Sequence, residues 1–386
     1  MNNYFLEYYK KYNISPVKQN LENEYIFFQK REKLYRQLGM PIMLFKGKDI
    51  LEVGSGSGFN TLAFFLWKGT EGNKIDLVEA NPTGIREMRE LFKEKNISDE
   101  RFEIYESSIE EFNNKKYYDI IIAEGFIHAI SNAKEIIHKL CTMLKQNGII
   151  VITCMDECSV FVEEMKRLVV NMITKDINNY EEKVSIYTDF FQPQLKKLKG
   201  MSRSIEDWVK DDMLNPAFYN NSLLSLEEAV KTFPDNYYIL GSSQRIFTDY
   251  SWYKDLLYNE RENIVKQFKE KQHNFILAGE EETLLPIEKN KELNYILCKI
   301  RENAKGYEES KDDSLIREII NSLGSMLNLK VYFSKNLCLF IEETIEILQC
   351  LLQNEEIKYS DYKTFYYAVG RTQQYLSMVN SDKKEC

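Results

Sequence analysis

The sequence lacks any long apolar run. None of its stretches reaches the length of about 18 apolar residues that a membrane-spanning helix needs, so we expect no membrane span. The segment Met1–Glu7 carries an acidic residue early and contains no apolar stretch of the kind found in secretory signals. These absences predict a soluble, cytoplasmic protein.

Cysteine and histidine are too scattered to suggest a disulfide framework or a metal site. The seven cysteines have no framework spacing, and their odd number favours free thiols in a reducing compartment. Cys154 and Cys158 lie close together, but no second pair or nearby histidine completes a zinc site. We therefore predict no metal and interpret these two cysteines as buried thiols.

The sequence contains fewer basic than acidic residues. The chain has 51 Lys and Arg against 60 Asp and Glu, a net charge of −9. Nonspecific nucleic-acid binding depends on neutralising phosphates, so we predict no nucleic-acid partner. The short basic clusters at 196–199 and 266–271 are mixed with other residues and are interpreted as solvated helix faces.

The most informative segment is an apolar strand that ends in an acid and continues into alternating glycines. Glu52 is followed by Gly54, Gly56 and Gly58, and a predicted helix begins at Asn60. Glycine at these positions allows the backbone to come very close to another group. Loops at the carboxyl ends of strands are where open α/β sheets bind ligands.

Three other interpretations of this loop meet obstacles in the sequence. A P-loop requires Lys followed by Ser or Thr, which is absent. A dinucleotide fingerprint requires a third glycine where this chain has Phe59. A tight turn without a ligand is the third alternative, although turns rarely need three alternating glycines.

Further strands follow in the order expected of a parallel α/β sheet. The second strand ends in Glu79, whose carboxylate is suited to accept from two ribose hydroxyls. The predicted strands are 49–52, 74–79, 101–105, 118–123, 148–153 and 237–240. Ser225, with Glu228 three residues later, predicts a capped helix start before the last of them.

The E-x-G-x-G-x-G loop, the acid at Glu79 and the turn Lys145-Gln146-Asn147-Gly148 together resemble class I S-adenosylmethionine-dependent methyltransferases. The resemblance covers residues 49–155. It implies an α/β, Rossmann-like parallel sheet and S-adenosyl-L-methionine as cofactor. Ser108 departs from the family pattern, which usually has Asp at this point.

The resemblance also implies which residues contact the cofactor. Glu52 would hold the methionine ammonium group, Glu79 the ribose, and Ser108 with its neighbour the adenine. The complete expected set is Glu52, Gly54, Ser55, Gly56, Gly58, Asn60, Glu79, Ala80, Ser108, Ile109, Glu124 and Gly125.

Three regions are predicted outside and around this core. Residues 1–46 would form an N-terminal helical cap. Residues 47–255 would form the methyltransferase domain, with a substrate-region insertion at about 186–234. Residues 256–386 would form a helical extension, ending in a helix over 358–379 that contains the motif Gly370–Ser377. This motif, the stretch Arg31–Gly39 that leads into the glycine loop, and the segments Ser202–Trp208 and Asp249–Lys254 together resemble bacterial methyltransferases with such extensions. The amphipathic helices of the extension offer a surface for a homodimer.

Methyl transfer to a hydroxyl requires a base with a pKa near neutrality, whereas an amine mostly needs desolvation and positioning. His128 follows the fourth strand and is the first candidate base, with Glu124 as the second. A hydrogen-bonded structural histidine is the alternative for His128. Arg203, Trp208 and Trp252 lie in aromatic and charged clusters that would contact the substrate, with core packing as the alternative for Trp208.

These residues favour methylation of a small or medium hydroxylated acceptor, such as a sugar or glycan precursor. Two other functions stay open at this point. One is a non-catalytic, cofactor-binding scaffold, and the other is a protein methyltransferase. A nicotinamide-dependent oxidoreductase is disfavoured by Phe59.

Overall fold

The computed structural model describes residues 4–21, 24–70, 72–220, 223–243, 252, 254, 260–358 and 360–381. Within these ranges a single seven-stranded sheet has the order β3-β2-β1-β4-β5-β7-β6. The strands are β1 Asp49–Val53, β2 Lys74–Glu79, β3 Phe102–Glu106, β4 Tyr118–Ala123, β5 Leu144–Cys154, β6 Tyr237–Ser242 and β7 Gln374–Asn380.

Strands β1 to β5 pair in parallel, and β7 runs antiparallel to both β5 and β6. The chain order reverses between β1 and β4, which is where a crevice forms at the carboxyl ends of the strands. The predicted α/β sheet is therefore confirmed. The near-continuous apolar sequence of β4 agrees with burial on both faces, since Ile120, Ile121 and Ile122 are buried.

Helices cover both faces of the sheet. They are α1 Tyr4–Tyr12, α2 Glu24–Gln37, α3 Phe59–Leu66, α4 Pro82–Glu94, α5 Ala133–Thr142, α6 Glu157–Ile173, α7 Tyr180–Leu195, α8 Ile205–Trp208, α9 Ala217–Asn220, α10 Leu226–Thr232, α11 Glu260–Lys271, α12 Ile287–Ser310, α13 Asp313–Met326, α14 Lys335–Leu352 and α15 Lys363–Tyr367. A π-helical turn, Val209–Met213, continues α8. None of the described helices combines the length and apolarity needed to cross a bilayer.

The helix predicted over 358–379 is wrong. The short helix α15 is followed by β7, which is inserted between β5 and β6. Leu376 and Met378 are fully buried, and the Ser377 hydroxyl between them donates to the backbone carbonyl of Leu38. This alternation of core-facing residues is the period of a strand rather than of a helix.

The return of β7 bears on the predicted division into domains. The segment 256–386 contributes a strand to the sheet of the domain that precedes it. The proposed boundary at residue 255 lies outside the described residues. The helices α11 to α15 are thus a long insertion between two neighbouring strands of the sheet.

The N-terminal region, predicted as helical over 5–38, forms α1 and α2 with a non-helical segment between them. This segment contacts the glycine loop, because the hydroxyls of Ser15 and Ser57 lie 2.8 Å apart. Helix α1 packs against the π-helical turn, where the Tyr8 hydroxyl donates to the carbonyl of Lys210 at 2.9 Å. The N-terminal residues therefore contact both the glycine loop and the π-helical turn.

Candidate functional site

A cavity of about 360 Å3 lies beside the carboxyl ends of β1 and β4. Val53, the last residue of β1, and Gly54 lie on one side, and Gly125, just after β4, lies on the other. Phe5 and Tyr9 of α1 cover part of the opening. The cavity is therefore located at the point where strand order reverses.

The glycine loop turns in the left-handed region at all three positions. The φ angles are 72° at Gly54, 54° at Gly56 and 78° at Gly58. A Cβ atom on Gly54 would come within 2.7 Å of the Phe126 ring, and one on Gly58 within 2.6 Å of Met88. Backbone conformation and packing against the protein itself thus require glycine here, rather than only the approach of a ligand.

Glu79 ties this loop to the end of β2. One carboxylate oxygen accepts from the backbone N–H of Gly56 at 2.6 Å, and the other from that of Asn81 at 2.8 Å. Burial raises the pKa of Glu79, although these backbone donors oppose the shift. The carboxylate is positioned on the cavity wall by its own loop, with lone pairs left for a ligand.

Glu52 is the second buried acid on the cavity wall. Its side chain is only 4% exposed, and no described residue donates to its Oε2. Burial raises its pKa to about 8. A buried carboxylate oxygen without a partner costs free energy that a cationic or N–H donor ligand would recover.

Arg31 of α2 faces the same cavity and was missed by the sequence reasoning. Its guanidinium donates to Glu124 Oε2 at 2.9 Å and to the Tyr35 hydroxyl at 3.3 Å. The Tyr35 hydroxyl in turn donates to Glu124 Oε1. The Arg31 Nε is buried and has no partner among the described residues. The signal in the sequence was only that this stretch runs directly into the glycine loop.

The other residues expected around the cofactor are mostly brought together. All except Gly58 line the cavity, namely Ser55, Gly56, Asn60, Ala80, Ser108, Ile109, Glu124 and Gly125 together with those described above. Gly58 is buried behind the loop and is the N-cap of α3. Their roles remain predictions.

His128 does not line this cavity. It lines a neighbouring cavity of about 80 Å3, whose wall shares Phe5, Gly125, Asp211, Asp212 and Gln373 with the first. Its Nδ1 lies 2.8 Å from the Thr153 hydroxyl. Burial lowers the pKa of His128 to about 3, so the ring is neutral at pH 7. A buried, neutral ring beside the Thr153 hydroxyl agrees with the alternative of a hydrogen-bonded structural histidine. The catalytic role of His128 stays a prediction.

The three residues predicted to contact substrate are not together. Arg203 lines the first cavity and Trp208 the smaller one. Trp208 also packs edge-on against Phe191, with 5.1 Å between ring centroids. Trp252 is 58% exposed and lines neither cavity. Most of the aromatic cluster around Trp252 lies outside the described residues.

Sequence reasoning also missed a group of polar residues on the wall between the two cavities. Asp211 and Asp212 come from the π-helical turn, whereas Gln373 comes from the segment before β7. All three line both cavities. The sequence signal for Gln373 was the motif Gly370–Ser377, which was placed on a helix and therefore could not be located at the site.

A family model described as a methyltransferase domain matches residues 44–213. Residues 44–213 form a class I S-adenosylmethionine-dependent methyltransferase domain. The cofactor of this methyltransferase is S-adenosyl-L-methionine. The matched range holds the glycine loop, Glu79 and the two aspartates, and it ends before β6 and β7, which complete the sheet.

Among curated relatives, the methyltransferase is similar to the ubiquinone biosynthesis O-methyltransferases of two Rickettsia species. The Rickettsia typhi protein is 23% identical over 200 residues, which cover 48% of this chain and 78% of that protein. The Rickettsia prowazekii protein is 27% identical over 162 residues, covering 40% and 61%. Among solved structures, PKMT2 from Rickettsia typhi matches with a TM-score of 0.44 at 15% identity, covering 63% of this chain and 50% of that one.

The residues on the cavity wall fit this cofactor. S-adenosylmethionine carries an ammonium group, a carboxylate and two ribose hydroxyls, and supplies an activated methyl group when bound. The cavity offers an unpaired carboxylate oxygen on Glu52, an unpaired N–H on Arg31 and the ordered carboxylate of Glu79. The ammonium, carboxylate and ribose groups of the cofactor thus each have a complementary group on this wall.

Proposed function

We propose that this methyltransferase transfers a methyl group to a hydroxyl oxygen of a small or medium acceptor. The observation that carries the proposal is the shared wall between the cofactor cavity and the smaller cavity. Asp211, Asp212 and Gln373 supply hydrogen-bond acceptors and an amide donor at this junction. A hydroxyl held there would lie next to the cofactor cavity.

In this proposal, the cofactor is held by residues of β1, β2 and α2 and of the segment after β3. Glu52 binds the ammonium group and Arg31 the carboxylate, because each presents a buried atom without a described partner on the cavity wall. Arg203 Nε is a third such atom, but its guanidinium already pairs with Asp211 and Asp212. Glu79 accepts from the ribose hydroxyls. Ser108 and Ile109 flank the adenine. Glu124 positions Arg31 through its ion pair.

The acceptor's body would lie in the smaller cavity. Met155, Val160, Trp208, Met213 and Phe218 contribute apolar and aromatic side chains to its wall. Such a wall favours an acceptor with an apolar or aromatic ring over a fully hydroxylated sugar. The names of the two Rickettsia relatives, which are O-methyltransferases, support oxygen rather than nitrogen as the methylated atom.

The first experiment measures cofactor binding by calorimetry with S-adenosylhomocysteine. We expect binding to the wild-type chain and a loss of about 10-fold or more in affinity for Glu79→Gln, because a hydrogen bond to a charged group is worth about 1.5–3 kcal/mol. Glu87→Gln is the matched control, since Glu87 accepts from Ser57 but does not line the cavity. Equal affinity in all three proteins would contradict the assignment of Glu79.

The second experiment offers the wild-type chain tritiated S-adenosylmethionine with four acceptor panels: diphenols, nucleotide sugars, primary amines and lysine-containing peptides. We expect label in the diphenols. Label in sugars would support a hydroxyl acceptor but contradict the apolar-ring argument. Label only in amines or peptides would refute O-methylation, and cofactor binding without any transfer would favour the scaffold alternative.

A further inference from the structure

The π-helical turn Val209–Met213 places two consecutive carboxylates on one cavity wall. Asp211 and Asp212 both line the cofactor cavity and the smaller cavity. Short π-helical segments are rare in proteins, and those that occur are often located at functional sites. Asp211 and Asp212 are partly exposed, with side chains 14% and 35% accessible. Two adjacent acids still repel each other, so this arrangement needs a compensating cation.

Arg203 supplies that cation and bridges the two acids. Its Nη1 donates to Asp211 Oδ2 at 2.8 Å, and its Nη2 donates to Asp212 Oδ2 at 2.6 Å. One guanidinium thus serves two carboxylates, and one negative charge is left over if both acids are ionised. This excess charge lies at the junction of the two cavities.

The two aspartates differ in how their remaining oxygens are used. Asp211 Oδ1 accepts from the Tyr9 hydroxyl of α1, so both oxygens of Asp211 have partners. Asp212 Oδ1 receives no hydrogen bond from the described part of the chain. Asp212 therefore has one oxygen with no partner among the described residues, whereas each oxygen of Asp211 already accepts a hydrogen bond from Tyr9 or Arg203.

We propose that Asp212 is the general base of this methyltransferase, accepting the acceptor's hydroxyl proton on Oδ1, with Arg203 and Asp211 as positioning residues. The inference rests on the proposed function, because only a hydroxyl acceptor has such a proton to lose. As the acceptor oxygen forms its bond to the methyl carbon, its proton passes to Asp212. The methyl–sulfur bond breaks and its electron pair stays on sulfur, so charge and atoms balance. Asp212 then releases the proton to water.

The surroundings of Asp212 favour this role. Burial raises its pKa to about 7, with the Asp211 charge adding to the shift and Arg203 opposing it. A carboxylate whose pKa is close to the working pH is suited to general-base catalysis. Other titratable and charged groups of the described chain line the same two cavities. Around the cofactor cavity they are Tyr9, Arg31, Glu52, Glu79, Glu110, Glu124, Arg203, Asp211 and Tyr375, and around the smaller cavity Asp211, His128, Glu163 of α6 and Arg301 of α12.

The experiment compares wild type with Asp212→Asn, Asp211→Asn and His128→Gln. The wild-type rate with a hydroxylated acceptor should rise with pH through an ionisation near 7. Asp212→Asn should lower kcat at pH 7 by about 100-fold or more and remove this ionisation. Its affinity for S-adenosylhomocysteine should stay at the wild-type value. Glu206→Gln, at an exposed ion pair with Lys210, is the unaffected control.

Two further readouts separate a base from a structural residue. With 4-nitrocatechol, whose hydroxyl ionises near neutral pH without help, Asp212→Asn should lose much less activity than with catechol. Carbon-13-labelled aspartate in the protein without acceptor should show a carboxyl that titrates near pH 7. That signal should be absent in Asp212→Asn and move to lower pH in Asp211→Asn, because a like charge is removed.

The outcomes distinguish the inference from the function on which it rests. If wild type methylates a hydroxyl and Asp212→Asn does so equally well, Asp212 is not the base. If His128→Gln instead removes the ionisation, the base is His128. If no aspartate titrates near pH 7, the inference fails. If wild type methylates amines and no hydroxyl, the proposed function fails first, and Asp212 has no hydroxyl proton to remove.

Discussion

Gly58 and Gly47 form a natural pair for testing why the glycine loop needs glycine. Both adopt a left-handed backbone, with φ of 78° at Gly58 and 65° at Gly47. A Cβ atom on Gly58 would meet Met88 at 2.6 Å and Phe92 at 3.0 Å, whereas one on Gly47 would meet nothing within 4 Å. Gly58→Ala and Gly47→Ala therefore carry a similar backbone strain energy, and only Gly58→Ala adds a steric clash with neighbouring side chains.

The magnitudes follow from these two terms. A left-handed alanine costs about 1–2 kcal/mol, and the stiffer unfolded chain returns about 0.4–1 kcal/mol. Gly47→Ala should thus lower the free energy of unfolding by about 1 kcal/mol. Met88 and Phe92 are both buried, so overpacking adds about 1–3 kcal/mol for Gly58→Ala.

The assay is urea unfolding followed by circular dichroism, in which both variants should keep the wild-type m-value. We expect Gly58→Ala to unfold at clearly lower urea than Gly47→Ala. Because Gly58 does not line the cavity, the folded fraction of each variant should still bind S-adenosylhomocysteine. Equal losses of stability in the two variants would refute the packing argument and leave only the backbone term.

Three other predictions concern charge burial and the sheet. The pKa of His128 is lowered to about 3 in the folded state, so as pH falls below 6.5 this histidine becomes protonated in the unfolded state but stays neutral in the folded state. This should cost about 2 kcal/mol of stability between pH 7 and pH 5 in wild type and not in His128→Gln, measured by urea unfolding at both pH values. Arg31→Met should destabilise by about 3–5 kcal/mol because it leaves the buried carboxylate of Glu124 without its cation, whereas Tyr35→Phe keeps the pair and should cost less in thermal unfolding. Leu376→Ala in β7 should cost about 2–5 kcal/mol in the same assay, and a loss below 1 kcal/mol would contradict its place in the core.

The parallel part of the fold could be predicted from local sequence. Strands buried on both faces are short apolar runs, and β2 and β4 have the predicted bounds, while β1 extends one residue beyond Glu52. Ser225 and Glu228 form the predicted capping box of α10, because both partners of that motif lie within one turn. These features depend on residues close together in the chain.

The residues that were missed depend on contacts between distant segments. Arg31 lies on α2 and pairs with Glu124, which directly follows β4, and nothing near Arg31 in the sequence indicates that partner. The two aspartates of the π-helical turn resemble an ordinary solvated acidic pair until Arg203 and α1 are placed beside them. β7 follows a long run of helices, and its strand period is decided by pairing with β5 and β6.

The helical region between β6 and β7 affects the site through the segment that leads back to the sheet. Lys166 of α6 donates to the carbonyl of Ala368, and the backbone N–H of Gly370 donates to Glu163 at 3.0 Å. These bonds fix the chain just before Gln373, which lines both cavities. Arg301 of α12 also lines the smaller cavity, so the region forms part of the wall that we propose for the acceptor. We therefore infer that exchanging these helices between related chains would change acceptor preference. The affinity for the cofactor should stay unchanged, because the glycine loop and Glu79 lie outside the exchanged region.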